Sequence, residues 1–594
     1  MLDAQRKDWG RAVYRCVMPA HLDSQRECRP MGRFRDLLEE EVVEFPAHER
    51  SPVPGSPATP AHGLGTRLAY ASVAVLVGIT AGLSSALVSV NTLQLQQILD
   101  LSAHQVAWLS TSYVMSAVSA NLLLIKVRQQ YGLRRFALVF LSLHAVLALI
   151  LVLVPGLEGT LLVRALSGFV AVALIPLCLF SMMQAFPARW RSRGLVLGIG
   201  VTQCTVPLAH VLSPSLLASQ GWRSLFLLEA GLALLSLAAL GMLRLPPAER
   251  ARVFQPLDLL TFVLMGSGLA LVAAVLGLGR WEGWLQAPWI VASLFTAIPA
   301  LVVAAAIETS RKTPLLNLRW LGRGDVARFA VAIFMARIVL AEQAFAIGVV
   351  RELGGTAQQL ATLSMAMLGG AVAGVLTSAI TVDAEKLARP MMLSVAIIAL
   401  AALVDSVSDG PHHLQRFYMT QTAVAFAGTF FLGPALLLGI TSALQHGSRE
   451  LISFIVLFGI VNALGALAGP ALLGSHNDWG RASGGTTLDA MLDTSRLVAV
   501  IAGFTTIYLA ILLTLRIRRR LAELHDKRAD DQTSQPEPVG TPIAQPIDSR
   551  WRPSRPGNTL TAAFAAIALL GIALVLAAWH LPSPSAVDLL RLPG

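Results

Sequence analysis

The stretch LLVRALSGFVAVALIP, residues Leu161–Pro176, shows most directly what kind of fold this chain has. Its single charged residue is Arg164, and the run without other charges extends over residues 160–182. An α-helix needs about 20 mostly apolar residues to cross the hydrocarbon core of a bilayer. A charged residue inside such a helix is costly and usually faces a cavity or a partner. The stretch therefore predicts a transmembrane helix that carries a functional residue.

The same pattern recurs along the chain. Of its 594 residues, 55% are hydrophobic and only 14% are charged, with a mean hydropathy of +0.64. Soluble domains usually have about 25% charged residues. The composition and the repeated pattern predict an all-α polytopic membrane protein. Its predicted spans are 68–90, 106–125, 136–155, 160–182, 194–217, 224–243, 257–278, 287–307, 329–350, 359–381, 390–406, 417–440, 451–474 and 497–515, with a fifteenth at 559–580.

The loops between the predicted spans give an orientation. Eighteen Lys and Arg residues lie in the loops on one side, against six on the other. Basic loops stay in the cytoplasm. We therefore expect a multi-pass protein of the cell inner membrane with its N-terminus in the cytoplasm. The net charge of +11 is explained by these loops, and it does not indicate nucleic acid as a partner.

Three segments outside the predicted bundle differ in character. Residues 1–64 are polar and rich in Arg and Pro, and they predict a disordered cytoplasmic N-terminal tail. Residues 521–556 read as a cytoplasmic polar linker. Residues 557–594 would then form an additional transmembrane helix and an outer tail.

The sequence lacks the common signatures of enzymes. It contains no GxxxxGK[ST] phosphate loop, no GxSxG, no HExxH and no clustered Cys/His set. We expect no enzymatic activity, no cofactor and no metal, and a lipid bilayer as the main surroundings. Function must then be sought among the charged residues inside the spans.

Two of these residues share the predicted ninth span. Arg337 lies about 13 Å deep at 1.5 Å per residue, and Glu342 lies about 21 Å deep. Substrate and coupling sites of secondary transporters lie at such depths. Glu342 is the one carboxylate identified deep in the second half of the bundle, and it is the leading candidate for proton exchange.

The first half supplies the other candidates. Arg164 and Glu229 lie near the predicted outer ends of the fourth and sixth spans, and His144 is central in the third. A buried histidine can relay protons, although a structural role is the commoner one. We expect Glu342 to pair with Arg164 across the two halves.

Three stretches resemble the fourteen-spanner drug:proton antiporter family of the major facilitator superfamily. The first, Leu161–Pro176, has Arg164, Gly168 and Pro176 where the fourth-helix motif of that family has them. In that family this arginine is implicated in proton coupling. The other two stretches are GWRSLF at the start of the sixth span and YGLRR, which contains Gly132, before the third.

The chain also departs from the family pattern. The first helix of the family normally carries an Asp in a pattern like LDxTIVNVALP, and Ser84 stands at that place here. Gln129 replaces the acidic residue of the loop before the third span, and the fifth-helix antiporter motif retains Pro207 but few glycines. Two possibilities follow. Either proton coupling uses other carboxylates, such as Glu342, or coupling is altered.

The resemblance implies a major-facilitator fold of two six-helix halves plus two inserted helices. The first half would cover 65–245, the inserted pair 246–310 and the second half 311–520. It also implies a secondary active transporter, most simply a proton-coupled antiporter for efflux of amphipathic compounds. Its partners would be a small-molecule substrate and protons, and some relatives work with a periplasmic adaptor and an outer-membrane channel. Alternatives are a transporter of a specific metabolite such as a siderophore, or a non-transporting receptor or scaffold.

Overall fold

The structure is a computed structural model, and it describes residues 57–531 except 59, 155, 244, 247–252, 353, 384–385 and 408–412. The described chain is almost entirely α-helical. Its first nine helices form the first half of the bundle. They are α1 Leu64–Val90, α2 Thr92–Ile98, α3 Ala103–Tyr131, α4 Leu133–Leu153, α5 Leu157–Ala171, α6 Leu174–Ala185, α7 Arg191–Gln203, α8 Thr205–Gln220 and α9 Arg223–Met242.

The remaining helices form an inserted pair and the second half. The inserted pair is α10 and α11, and a short helix, α12, follows it. Their bounds, with those of the second half, are α10 Pro256–Leu278, α11 Pro288–Ser310, α12 Leu318–Leu321, α13 Gly324–Val339, α14 Glu342–Glu352, α15 Ala357–Thr381, α16 Ala388–Ser406, α17 His413–Leu444, α18 Ser448–Ala482 and α19 Thr487–Asp531.

Thirteen of the predicted spans are confirmed. In the part of the chain that the structure describes, thirteen helical segments are long and apolar enough to cross a membrane. The ninth predicted span, 329–350, is divided between α13 and α14. Ala341 N bonds to Ile338 O rather than one residue further back, which interrupts the α-helical ladder. Neither piece alone has the length of a span, so the prediction of one continuous ninth helix was wrong.

The ends of the chain need a second correction. The predicted linker begins at residue 521, but α19 continues as one helix to Asp531. The last helix therefore extends past the expected linker start. Residues 1–56 of the predicted tail, the rest of the linker and the predicted fifteenth span at 559–580 lie outside the described residues.

The two halves meet along α7 and α8 on one side and α15 and α17 on the other. Small residues allow this close approach. A Cβ on Gly200 would overlap Val375, and one on Gly433 would lie 2.6 Å from Val196. The interface between the halves is thus tightly packed beside Gln203, the last residue of α7.

The inserted pair α10–α11 contacts both halves, because α10 packs against α3 and α18. At one end, the buried carboxylate of Asp258 binds Lys126 at 2.9 Å and Arg311 at 2.6 Å. Burial alone lowers the pKa of a guanidinium, but hydrogen bonds to Asp258 and Glu308 hold the pKa of Arg311 above its ordinary value. This pair of helices is therefore fixed to the first half by buried charges.

At its other end the inserted pair is tied to both halves. Arg280 donates two hydrogen bonds to Asp478 of α18, at 2.6 and 2.8 Å. His104 of α3 lies 2.7 Å from Glu282. The inserted helices thus lie along the seam between α3 and α18 and touch the two halves at the same level.

Candidate functional site

A buried pair of residues joins α1 to α9 in the first half. Ser84 lies on α1 and Glu229 near the start of α9, and both side chains are buried. The hydroxyl of Ser84 donates to Glu229 Oε1 at 2.6 Å. This is a short hydrogen bond between a hydroxyl and a carboxylate. Glu229 therefore places a carboxylate against the residue that stands where the resembled family has its helix-1 acid.

Arg164 reaches the same residue from α5. Its Nη1 donates to the backbone oxygen of Ser84 at 2.9 Å, and its guanidinium carbon lies 4.6 Å from the ring centroid of Tyr113. Arg164 is 1% exposed, and its Nη2 has no hydrogen-bond partner. Ser84 is therefore the bridge of the site, with its carbonyl bound to the cation and its hydroxyl bound to the carboxylate.

The packing of α5 on α3 holds Arg164 over Tyr113. A Cβ at Gly168 would overlap the carbonyl oxygen of Tyr113 and lie 2.7 Å from Ser116 Oγ. The Ser116 hydroxyl donates to the carbonyl of Ala165 across the same contact. Only glycine fits at this place, which gives a structural reason for the glycine of the fourth-helix motif.

His144 completes the group from α4. It is fully buried, and its Nε2 lies 3.4 Å from Glu229 Oε1. Neither ring nitrogen makes a hydrogen bond by geometry. The distance permits an ion pair only when the imidazole is protonated, so His144 is a neighbour of the carboxylate rather than a bonded partner. We call Ser84, Tyr113, His144, Arg164 and Glu229 the first-half cluster.

Arg337 lies apart from this cluster, on α13 in the second half. Its Cβ is in close contact with Gly465 of α18, and its Nη1 donates to Gln203 Oε1 of α7 at 3.4 Å. The side chain is half-buried, and its Nε is buried without a partner. Arg337 therefore points across the interface to the first half and contacts no carboxylate among the described residues.

Glu342 begins α14, and both of its carboxylate oxygens are buried without a hydrogen-bond partner. The expected pair between Glu342 and Arg164 is absent, because Arg164 is occupied by Ser84 and Tyr113 of its own half. Arg164 and Glu342 belong to helices of different halves, and a pattern in one helix cannot show which other helix it faces.

The second half also contains a buried carboxylate that the sequence did not reveal. Asp405 is 1% exposed near the end of α16 and accepts hydrogen bonds from Thr420 at 2.7 Å and Gln421 at 3.2 Å. Glu342 is therefore not the one buried acid there. Asp405 lies at the edge of its predicted span, 390–406, and was not among the predicted site residues.

The remaining motif residues affect the conformation of the backbone. Gly132 separates α3 from α4 with a φ of +83°, a conformation that favours glycine. Pro176 and Pro207 lie in the first turns of α6 and α8, where a missing N–H is tolerated. These helices follow interruptions near Val172 and Cys204, so the fourth and fifth spans are each built from two pieces. Within the described residues, no group of three or more His, Cys, Asp or Glu could hold a metal ion.

A family model decides the affiliation of the chain. The model of the Major Facilitator Superfamily matches residues 73–470, which is most of the described bundle. The chain belongs to the Major Facilitator Superfamily. This membership agrees with the multi-pass helical bundle described above.

Curated relatives within the superfamily are distant. The tetracenomycin C resistance and export protein of Streptomyces glaucescens is 25% identical over 228 residues, covering 38% of this chain and 42% of the relative. The methylenomycin A resistance protein of Streptomyces coelicolor is 26% identical over 284 residues, covering 47% and 54%. The fatty acid resistance protein FarB of Neisseria gonorrhoeae is 27% identical over 168 residues, covering 28% and 32%. The alignments span about half or less of each relative.

A solved structure of a mutant of the nucleoside transporter NupG covers 75% of this chain and 99% of its own. Its TM-score is 0.47, at 12% sequence identity.

Proposed function

We propose that this chain is a proton-coupled exporter of amphipathic organic compounds and that Glu229 carries the proton. The observation that supports this most is the 2.6 Å hydrogen bond between Ser84 and Glu229. In the resembled antiporters an acid belongs at the position of Ser84. Here a carboxylate from α9 occupies the same surroundings, and Arg164 binds the same residue. The acid of the coupling site has, on this proposal, moved from the first helix to the sixth span.

The cluster has the parts that proton coupling needs. Arginine keeps its charge throughout the accessible pH range, so Arg164 cannot carry the proton itself. Glu229 can, because a carboxylate has both a protonated and an ionised form. His144, at 3.4 Å, is the neighbouring group that can exchange a proton with it. Protonation of Glu229 neutralises the carboxylate and leaves the positive charge of Arg164 unopposed within the cluster.

This change of charge acts on helix packing. Glu229 lies on α9, Ser84 on α1 and Arg164 on α5, and the three are connected by the hydrogen bonds described above. In secondary transporters, alternating access is largely a rigid-body movement of one repeat against another. Protonation of Glu229 changes the interaction between α1, α5 and α9. On this proposal, that change starts the movement of one repeat against the other.

The named relatives support efflux as the direction of transport. Two of them are called resistance proteins, one against methylenomycin A and one against fatty acids, and a third is a tetracenomycin C resistance and export protein. On this proposal the chain lies in the inner membrane with its N-terminus in the cytoplasm. A periplasmic adaptor and an outer-membrane channel remain part of the proposal as partners.

Accumulation in cells tests the proposal. Cells without their own efflux pumps would express the full chain and be given ethidium, chloramphenicol or dodecanoate. We expect lower accumulation of at least one probe, and a protonophore should abolish that difference. Glu229→Gln should abolish it as well, whereas Glu158→Gln, which alters an exposed carboxylate at the start of α5, should not.

Two outcomes would contradict the proposal. Export by Glu229→Gln with unchanged sensitivity to the protonophore would place the proton on another group, with Glu342 the next candidate. Higher rather than lower accumulation of a probe would instead favour an importer. The amount of each variant in the membrane is measured in parallel, so that loss of insertion is not mistaken for loss of coupling.

A further inference from the structure

Arg337 lies between the two halves with no carboxylate bound to its guanidinium among the described residues. Lys126 and Arg311 bind Asp258, and Arg164 lies in the cluster that contains Glu229. In the described chain, Arg337 makes one side-chain hydrogen bond, at 3.4 Å, and its acceptor is the neutral amide of Gln203. A permanently charged group is thus held between the two halves without a carboxylate.

The guanidinium of Arg337 is only partly surrounded by protein atoms that could bind it. The side chain is half-buried although it points to the other half of the bundle and not to lipid. Its Nε is nevertheless buried and without a partner. The Oδ1 atom of Asn462, which lies on α18 within one turn of Gly465, is also buried and unpartnered. The unsatisfied Nε donor of Arg337 and the unsatisfied Oδ1 acceptor of Asn462 are both available to a ligand.

Apolar side chains adjoin the guanidinium. Phe334 lies one turn before Arg337 on α13 and approaches the same glycine, Gly465, as the Cβ of Arg337. Ile199 of α7 belongs to a hydrophobic cluster that also includes Ala336 and Val339. A ligand at this point would therefore meet one fixed positive charge beside apolar surfaces from both halves.

From this arrangement we propose that Arg337 binds the head group of an anionic amphipathic substrate, a carboxylate or a chemically similar oxyanion. The planar guanidinium presents donors in a fork that matches a carboxylate in two-point contact. Gln203, in the first half, accepts a hydrogen bond from Nη1 of Arg337 and so orients the guanidinium. The inference rests on the proposed function and deepens it, because it names the charge of the exported compound. Arg337 lies between the two halves, where a substrate can contact both of them.

Binding to the purified protein tests this without any proton gradient. The full chain in dodecyl maltoside is titrated with dansyl-labelled undecanoate and, separately, with the methyl ester of the same compound. The two probes share the tail and the fluorophore and differ in the charge of the head group. We expect the carboxylate to bind at least about tenfold more tightly than the ester, as charged hydrogen bonds commonly give.

Three variants test whether the preference for the carboxylate over the ester depends on Arg337. Arg337→Gln should reduce it to less than about twofold, because the charged donor is gone. Arg337→Lys should leave an intermediate preference, since it keeps the charge and loses the fork. Gln203→Glu is the sharpest variant, because it places a carboxylate beside an intact Arg337 and should satisfy the guanidinium internally. It should abolish the preference without removing the arginine.

A matched control lies on the same helix. Arg328 is near the start of α13, where its side chain bonds to the backbone of Gly324, and Arg328→Gln should leave the preference unchanged. An ester that binds as tightly as the carboxylate to the unaltered protein would overturn the inference. An undiminished preference in both Arg337→Gln and Gln203→Glu would also overturn it.

This test is separable from that of the proposed function. A charge preference that depends on Arg337, in a protein whose transport ignores the protonophore, would uphold the anion site and reject proton coupling. Protonophore-sensitive export of ethidium but not dodecanoate, unchanged by Arg337→Gln, would reject the anion site and uphold coupling.

Discussion

The two halves of the bundle hold their buried charges in different ways. In the first half, Arg164 and Glu229 are joined through Ser84, and the imidazole of His144 lies beside the carboxylate. In the second half, Arg337 has only a neutral amide, and Glu342 has no hydrogen-bond partner for either oxygen. The first half has an internally connected cluster, whereas Arg337 and Glu342 of the second half have no ion-pair partner among the described residues.

This difference assigns separate tasks to the halves. A change in the charge of a connected cluster acts on all the helices that the cluster joins, which suits proton coupling. An unpaired cation that faces the interface suits a ligand that brings its own negative charge. On the two proposals above, the proton binds in the first half and the head group of the substrate binds in the second.

Replacement of Arg164 and of Arg337 should show the largest difference between the two halves. Arg164→Gln removes a charged hydrogen bond to the backbone of α1, and such bonds are worth about 1.5–3 kcal/mol. We expect a clearly lower unfolding temperature in detergent and no gradient-driven export. Arg337→Gln removes an unpaired charge, and its unfolding temperature should be equal or higher. Equal destabilisation by both changes would show that the two halves hold their arginines alike.

The packing that positions Arg164 should be the next most sensitive feature. Gly168→Ala forces a methyl group into the carbonyl of Tyr113, and overpacking of this kind costs about 1–3 kcal/mol. Export should fall along with stability, because the guanidinium shifts relative to Ser84. Gly369→Ala is the matched control in the second half, since a Cβ there meets nothing within 4 Å. If Gly369→Ala is as harmful as Gly168→Ala, the steric explanation fails.

The smallest effect is expected at Glu342. A carboxylate buried without hydrogen bonds gains nothing from its charge, and glutamine has nearly the same shape. Glu342→Gln should leave gradient-driven export within about twofold of the unaltered protein and raise the unfolding temperature slightly. A complete loss of export by a correctly inserted Glu342→Gln protein would transfer the proton site to the second half.

Hydropathy was sufficient to predict most of the fold. Thirteen spans appear where long apolar runs predicted them, because a membrane helix must be apolar along its whole length. The division of the ninth span into α13 and α14 was missed, because the run 329–350 stays apolar across the interruption at Leu340 and Ala341. Hydropathy averages do not register a local change in backbone hydrogen bonding.

The candidate site was less accessible to sequence reasoning. Arg164, Glu229 and His144 were each identified, but the sequence placed Glu342 ahead of Glu229. Depth along one helix does not show which residues of other helices lie alongside. Ser84 and Glu229 are 145 positions apart, so their contact exists only in the folded bundle. One signal was available, since a helix-1 position without its acid invites a search for a carboxylate elsewhere near the outer end of the first half.

The central claim is that Glu229 replaces the acid of the first helix, and a swap tests it most directly. Export of a probe compound is measured in proteoliposomes with an imposed pH gradient, for the Glu229→Ser variant and for the double variant Ser84→Asp with Glu229→Ser. The account predicts that the single variant is inactive and that the double variant recovers gradient-driven export, because the carboxylate returns to α1 beside Arg164. A folded double variant as inactive as the single one, or an active Glu229→Ser protein, would contradict it.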